Sequence, residues 1–506
     1  MTSATPLYRI LEKSFLVEWL FAFVLVVLVR LPYLLSEHVF FDGDEAMLGI
    51  MGRDLITGKN IPFYFYGQQY GFSFFEALSA GFFILFLGST VWSLKFGGML
   101  LFSLGIQRLL KVLRTYQVSM ITFVLTSFIL VAFPTWVVWG TKLRGGYITA
   151  FVGVCFLIEF YLLHKDWDVR KWATVSAVSA IIIVSQSFFF LPVSLLLLSR
   201  FLKAESKLKV IAIAVGVSTL GLLRALATLN PDYWNPPMKI ATDLTKIPRH
   251  FGEKLIPNFT GFFAFTDHYD VPEWVGYGAM AFLSILAIWM IHQLIVSENS
   301  TKVSVVLVLV GGLLSSLALP FFVFDGGRYM LPFFTSLLVI IVLLVVKGNY
   351  ASKYLKSGFL LACCVAILPT LSGYNQFVSY WLEREEPDMK RLNELVDVLE
   401  ERNLRYGFVS EWQLIWQLNY LGNDEMAFRY QTIAERVPRF VQEANACYLN
   451  PDCTPVLVGG LWPLLGMETV EGWNDSIEKV NARYYIMENP DTVFLNKGGF
   501  ELPVAH

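Results

Sequence analysis

The sequence predicts a polytopic all-α membrane protein: a helical bundle of about 11 transmembrane helices with juxtamembrane helices and a small C-terminal α/β domain on the outer side. Three observations carry that prediction. Mean hydropathy is +0.55, with 55% hydrophobic and only 16% charged residues, which lies outside the range of soluble globular chains. Apolar runs of about 20 residues, enough to cross a bilayer, recur through the first 375 residues. Beyond residue 380 they stop, and charge returns in the stretch Glu383 to Asp388.

The first run, Phe15 to Leu35, is followed by no small-residue cleavage pattern, so it is expected to remain as a signal anchor. Arg9 and Lys13 precede it and put the N-terminus in the cytoplasm by the positive-inside rule. Residues 36–89 then form the first outer loop, with Asp42, Asp44 and Glu45 close behind the span. Carboxylates at a membrane surface must be solvated, paired or used. From Glu45 to Ile56, the residues Met47, Leu48, Ile50, Met51 and Leu55 share one helical face. That spacing predicts a short amphipathic helix on the outer leaflet, with Asp44 at its N-terminal edge.

The run 72–88 contains Glu76 and is expected to lie along the outer interface, because crossing would place Lys111 and Arg114 outside. Spans follow near 90–110, 118–139 and 147–164, then 172–201 as two short spans meeting near Ser185 and Gln186. The rest are expected near 208–226, 276–296, 303–323, 331–347 and 356–373. With this phase Lys302 and the Lys347 to Lys356 turn are cytoplasmic, while Thr141 to Gly146, the 229–275 loop, Asp325 to Arg328 and the tail are outside. Loops with unusual polar chemistry therefore collect on one side. Residues 1–375 form the membrane domain and 380–506 the outer α/β domain.

Within that outer domain, Leu392, Leu395, Val396 and Leu399 have surface-helix spacing, and Tyr406 to Val409, Pro455 to Val458 and Arg483 to Ile486 read as strands. Cys155, Cys363 and Cys364 fall in apolar runs as small hydrophobes, whereas Cys447 and Cys453 are in the polar tail, where a disulfide and two free thiols both stay open. A net charge of −2 gives no reason to expect nucleic acid.

Acid on the first outer loop and arginine on two others make a set suited to one reaction. Moving a sugar from a lipid phosphate to a hydroxyl or amine needs a carboxylate for the acceptor proton and fixed positive charge on the departing phosphate. Asp44 is the candidate base, with a helix cap as the plain alternative. Lys142, Arg144 and Arg328, the last beside Tyr329, are the candidate cations; a snorkelling anchor is the alternative for Arg328. His268 is a weaker candidate for substrate contact and reads more simply as an interfacial loop residue. No P-loop, GxSxG, HExxH or CxxC motif is present.

The ordered segments DGDEAMLGIMGRDLITGK, FYGQQYGFSFFEA, TKLRGGYIT and GRYMLPF resemble bacterial members of the GT-C superfamily, the polytopic glycosyltransferases that include protein O-mannosyltransferases and lipid A aminoarabinose transferases. The resemblance implies a GT-C transmembrane catalytic domain in the bacterial cytoplasmic (inner) membrane. Its donor would be a polyprenyl-phosphate-linked sugar, and its acceptor an envelope glycan, lipid or protein. It maps the base to Asp44 beside Glu45, and the phosphate contacts to Arg144, Arg328 and, less directly, Lys142; Glu45 or Asp42 is expected to tune or position the base. Tyr66, Gln68 and Gln69 are assigned to sugar hydroxyls by position alone. Some members use a divalent metal, and Asp42, Asp44 and Glu45 offer oxygen ligands for magnesium or manganese. Arginine can neutralise a single phosphate, so no cofactor is expected to be required. The competing readings are a transporter or flippase of lipid-linked glycans, which would place paired charges near the midplane, and a non-enzymatic scaffold working through the tail.

Overall fold

The computed structural model describes residues 14–36, 39–66, 71–228, 269–270, 273–317, 330–350, 353–373, 378–379, 388–431, 436–460, 477–481 and 483–503. Helix α1 is Phe15–Leu34, α2 Gly43–Ile56, α3 Phe74–Leu87, α4 Val91–Thr115, α5 Met120–Ala132, α6 Pro134–Trp139 and α7 Tyr147–Leu163. Helices α8 Val169–Gln186, α9 Phe190–Lys203 and α10 Ser206–Thr228 follow. After the short strand β1 (Tyr269–Asp270) come α11 Glu273–Val296, α12 Asn299–Leu317, α13 Leu331–Lys347 and α14 Lys353–Gly373.

Among the described residues, seven helical segments are long and apolar enough to cross a membrane. The longest, Val169–Lys203, is interrupted by one 3-10 turn at Ser187–Phe189, next to the Ser185–Gln186 junction expected from loop charge. The break between α5 and α6 falls at Pro134, which cannot donate a backbone hydrogen bond. Arg30 of α1 is fully buried there and donates to the Val131 carbonyl at 3.1 Å and the Trp136 carbonyl at 2.6 Å. The two terminal nitrogens of a cation inside an apolar bundle are thus held by carbonyls flanking a helix break.

The C-terminal region runs β2 (Val378–Ser379), α15 (Asp388–Glu401), β3 (Tyr406–Val409), α16 (Leu414–Leu421), β4 (Ala427–Arg429) and α17 (Pro438–Leu449). It ends with β5 (Val456–Gly460), β6 (Glu478–Lys479), β7 (Tyr484–Glu488) and α18 (Thr492–Lys497). Strands β3 to β7 form one sheet in the order β4-β3-β5-β7-β6, with β3 parallel to β4 and β5, and β7 antiparallel to β5 and β6. Helices α16 and α17 are the crossovers that parallel pairing demands. Cys447 and Cys453 form a disulfide, closing a loop from α17 toward β5.

One expectation is corrected here. Helix α2 is not a surface helix with one wet face: its residues from Glu45 to Asp54 are all buried. It is packed between α3 and α16. A Cβ on Gly52 would stand 2.8 Å from the Ala77 carbonyl oxygen and the Gly81 nitrogen, so α2 and α3 meet backbone to backbone. On the other side a Cβ on Gly49 would enter the Tyr420 ring.

Candidate functional site

The site is built where α2 begins. Asp42 is the N-cap and accepts from the Glu45 amide at 2.9 Å, satisfying one of the helix's open donors. The turn before α7 comes to it from the side. Gly146, at φ +88°, enters α7 in the left-handed region open to glycine. Glu76 of α3 fixes that turn: it is fully buried and accepts from the amides of Gly146 and Ile148 at 3.0 Å and of Thr149 at 3.3 Å. This carboxylate at a helix N-terminus sets the position of Lys142 and Arg144.

Those two cations reach the acidic loop. Lys142 Nζ lies 2.8 Å and Arg144 Nη1 3.0 Å from Asp42 Oδ2, while Arg144 Nη2 lies 2.7 Å from Asp44 Oδ2. Lys142 also stands 3.5 Å over the Phe40 ring. Exposure separates the two carboxylates. Asp42 and Lys142 are almost fully buried, whereas the side chains of Asp44 and Arg144 keep 17% and 18% exposure.

Burial works against ionising Asp42, but Lys142 and Arg144 overcome it and hold the carboxyl well below the usual range. Burial lowers Lys142 to about 8, with Asp42 opposing that shift. Glu45 points elsewhere. It is fully buried with both oxygens on Lys95 Nζ, at 2.7 and 2.8 Å, and burial raises its pKa against that ion pair. Its place is that of a strut between α2 and α4, away from the exposed face of Asp44. Asp42, Asp44 and Glu45 therefore do not converge as ligands for a divalent ion, and no group of three His, Cys, Asp or Glu side chains does so among the described residues.

Tyr66, assigned by position to sugar hydroxyls, is 3% exposed and donates to Asp54 Oδ2 at 2.9 Å. Gln68, Gln69, His268, Arg328 and Tyr329 lie outside the described residues. Sequence reasoning missed Lys95, the hold of Glu76 on the turn before α7, and the C-terminal residues over α2. A lone lysine in the apolar run VWSLKFGGML is the signal that would have found Lys95, since such a charge requires a buried partner.

An apolar cavity of about 380 Å³ lies between α8, α9 and α10, lined by residues including Val175, Ser179, Ile183, Phe190, Leu197 and Val217. Its α8 wall ends within one helical turn of Gln186, whose side-chain amide donates to the Gly145 carbonyl at 2.9 Å.

No protein-family model matches the chain, and no curated protein matches it. Solved structures do. ArnT from Cupriavidus metallidurans bound to undecaprenyl phosphate is similar at TM-score 0.60 and 11% identity, over 94% of this chain and 98% of that one. The same protein in the apo state is similar at TM-score 0.60 and 12% identity, over 93% and 98%. The chain therefore shares the fold of these structures over nearly its whole length.

Proposed function

We propose that this protein is a membrane glycosyltransferase that moves a sugar from a polyprenyl-phosphate donor to a hydroxyl or amine of an envelope acceptor, on the outer face of the membrane. One observation carries the reading: a partly exposed carboxylate, Asp44, sits 2.7 Å from a partly exposed guanidinium, Arg144, with Lys142 beside them. The apolar cavity between α8, α9 and α10 suits an isoprenoid chain, and the ArnT likeness supports an undecaprenyl-type carrier. The disulfide between Cys447 and Cys453 suits an oxidising compartment for the C-terminal domain.

In this mechanism the donor phosphate binds Arg144 and Lys142. Arg144 Nη2, which now holds Asp44, turns to the phosphate, and Asp44 is released for the acceptor. The acceptor heteroatom attacks C1 in line, Asp44 takes its proton, and the C1–O bond breaks with its electron pair leaving on the polyprenyl phosphate. Configuration inverts at C1. The two cations stabilise the charge that builds on the leaving phosphate. Asp42 keeps both cations in place and stays ionised throughout. The mechanism assigns no divalent metal to the acidic loop, and transfer that survives EDTA is the corresponding outcome.

The test is binding of undecaprenyl phosphate to the purified full chain in lipid nanodiscs. Arg144→Ala is expected to weaken binding at least about tenfold, the loss of one charge-assisted contact. Equal binding by wild type and Arg144→Ala would contradict the phosphate role.

A further inference from the structure

Three groups from distant parts of the chain meet beside the acidic helix, and the mechanism above uses none of them. Arg436, before α17, lies 5.7 Å from the Phe65 ring and 5.7 Å from the Trp412 ring. Phe65 is buried, whereas Trp412 is 44% exposed. Arg436 Nη1 is buried without a hydrogen-bond partner, and among the described residues no carboxylate lies within ion-pair distance of this guanidinium. Its neighbours differ: Arg439 is held by Asp54 and Asp424, and Arg483 by Glu411.

The position ties the group to the site. Gln413 follows Trp412, and a Cβ on Gly43 would stand 2.8 Å from its carbonyl oxygen; Gly43 lies between Asp42 and Asp44. Phe65 donates its amide to the Gly71 carbonyl at 3.1 Å, and a Cβ on Gly71 would stand 2.8 Å from the Gly145 carbonyl oxygen, next to Arg144. An exposed indole offers a face for a sugar ring, and a guanidinium with an open donor beside it matches a planar or tetrahedral anion.

We infer that Trp412 and Arg436 form an acceptor subsite that receives a sugar bearing an anionic group, a carboxylate or a phosphate. This rests on the glycosyltransferase reading. The subsite lies on the C-terminal domain and is separate from the donor-phosphate cations Lys142 and Arg144.

The test uses the full chain in nanodiscs and saturation-transfer NMR with glucose, glucuronate and glucose 6-phosphate, with undecaprenyl phosphate binding measured in parallel. Wild type is expected to give at least fivefold stronger signal with an anionic sugar than with glucose, and the stronger of the two anionic probes distinguishes carboxylate from phosphate. Arg436→Gln is expected to erase that preference, and Trp412→Ala to weaken all sugar signals, with undecaprenyl phosphate binding unchanged in both. If Arg436→Gln lowers the melting temperature, Trp412→Ala at its exposed indole decides. No preference in wild type, or wild-type behaviour in both variants, overturns the subsite. Absence of undecaprenyl phosphate binding by wild type would instead count against the donor reading, whatever the sugars show.

Discussion

The two ends of α2 carry two ion networks that differ in one respect. At the C-terminal end Arg53 donates to the carbonyls of Asn419 and Tyr420, both at 3.1 Å, and pairs with Asp424 at 2.7 Å. Asp54 takes Tyr66 and Arg439, and Lys59 closes the group on Asp424 at 2.6 Å. This network joins the first loop to the C-terminal domain, with Arg53 set at the carbonyl end of α16, where a cation is favoured. At the N-terminal end Asp44 has one ion-pair partner among the described residues, Arg144, where Asp424 has three. The closed end holds α2 in place, and the open end is left able to exchange partners. A network in which each carboxylate holds several cations contributes rigidity, while chemistry needs a group that can be released.

The comparison breaks first at Arg53. Arg53→Ala leaves Asp424 and two helix-end carbonyls short of a donor, and is expected to cost about 3 kcal/mol of stability, read by denaturation in detergent. Donor binding per folded molecule should persist. If that binding disappears while stability holds, the closed end is part of the site. The Cys447–Cys453 bridge acts on the same end, because Cys447 shares α17 with Arg439. Replacing both cysteines by alanine should cost about 2 kcal/mol, the chain-entropy value for so short a loop, with donor affinity unchanged.

The open end has a pH signature. Burial lowers Lys142 to about 8 from an ordinary 10.5, so its ammonium is present below pH 8 and lost above. Transfer efficiency, kcat/KM, is expected to fall about tenfold by pH 9, and Lys142→Arg should remove that limb. Unfolding through this group cannot mimic the loss. The unfolded chain binds more protons than the folded one between the two values, so Lys142 makes stability rise with pH there.

Much of the open end was legible in the sequence, and little of the closed end. Asp42, Asp44, Lys142 and Arg144 lie in short polar segments between apolar runs, and charge phasing put those segments on one side. The junction near Gln186 was legible for the same reason. What covers α2 was not. Met47, Leu48, Ile50, Met51 and Leu55 mark one apolar face, but the opposite face is buried by α16, and the bond from Arg53 to Tyr420 spans 367 positions. No local periodicity encodes such a contact. Glu45 was read beside Asp44 as a pair, yet neighbours on a helix point in different directions, and its partner is 50 positions away on α4.

The measurement that tests the account most directly is sugar transfer from native membrane-lipid extract by wild type and Asp44→Asn, with melting temperatures recorded for both. The account predicts a fall of about 10²–10⁴-fold in transfer and in release of polyprenyl phosphate, with the melting temperature little changed because Asp44 is partly exposed and Asp42 keeps the helix cap. Full transfer by a folded Asp44→Asn protein would contradict it.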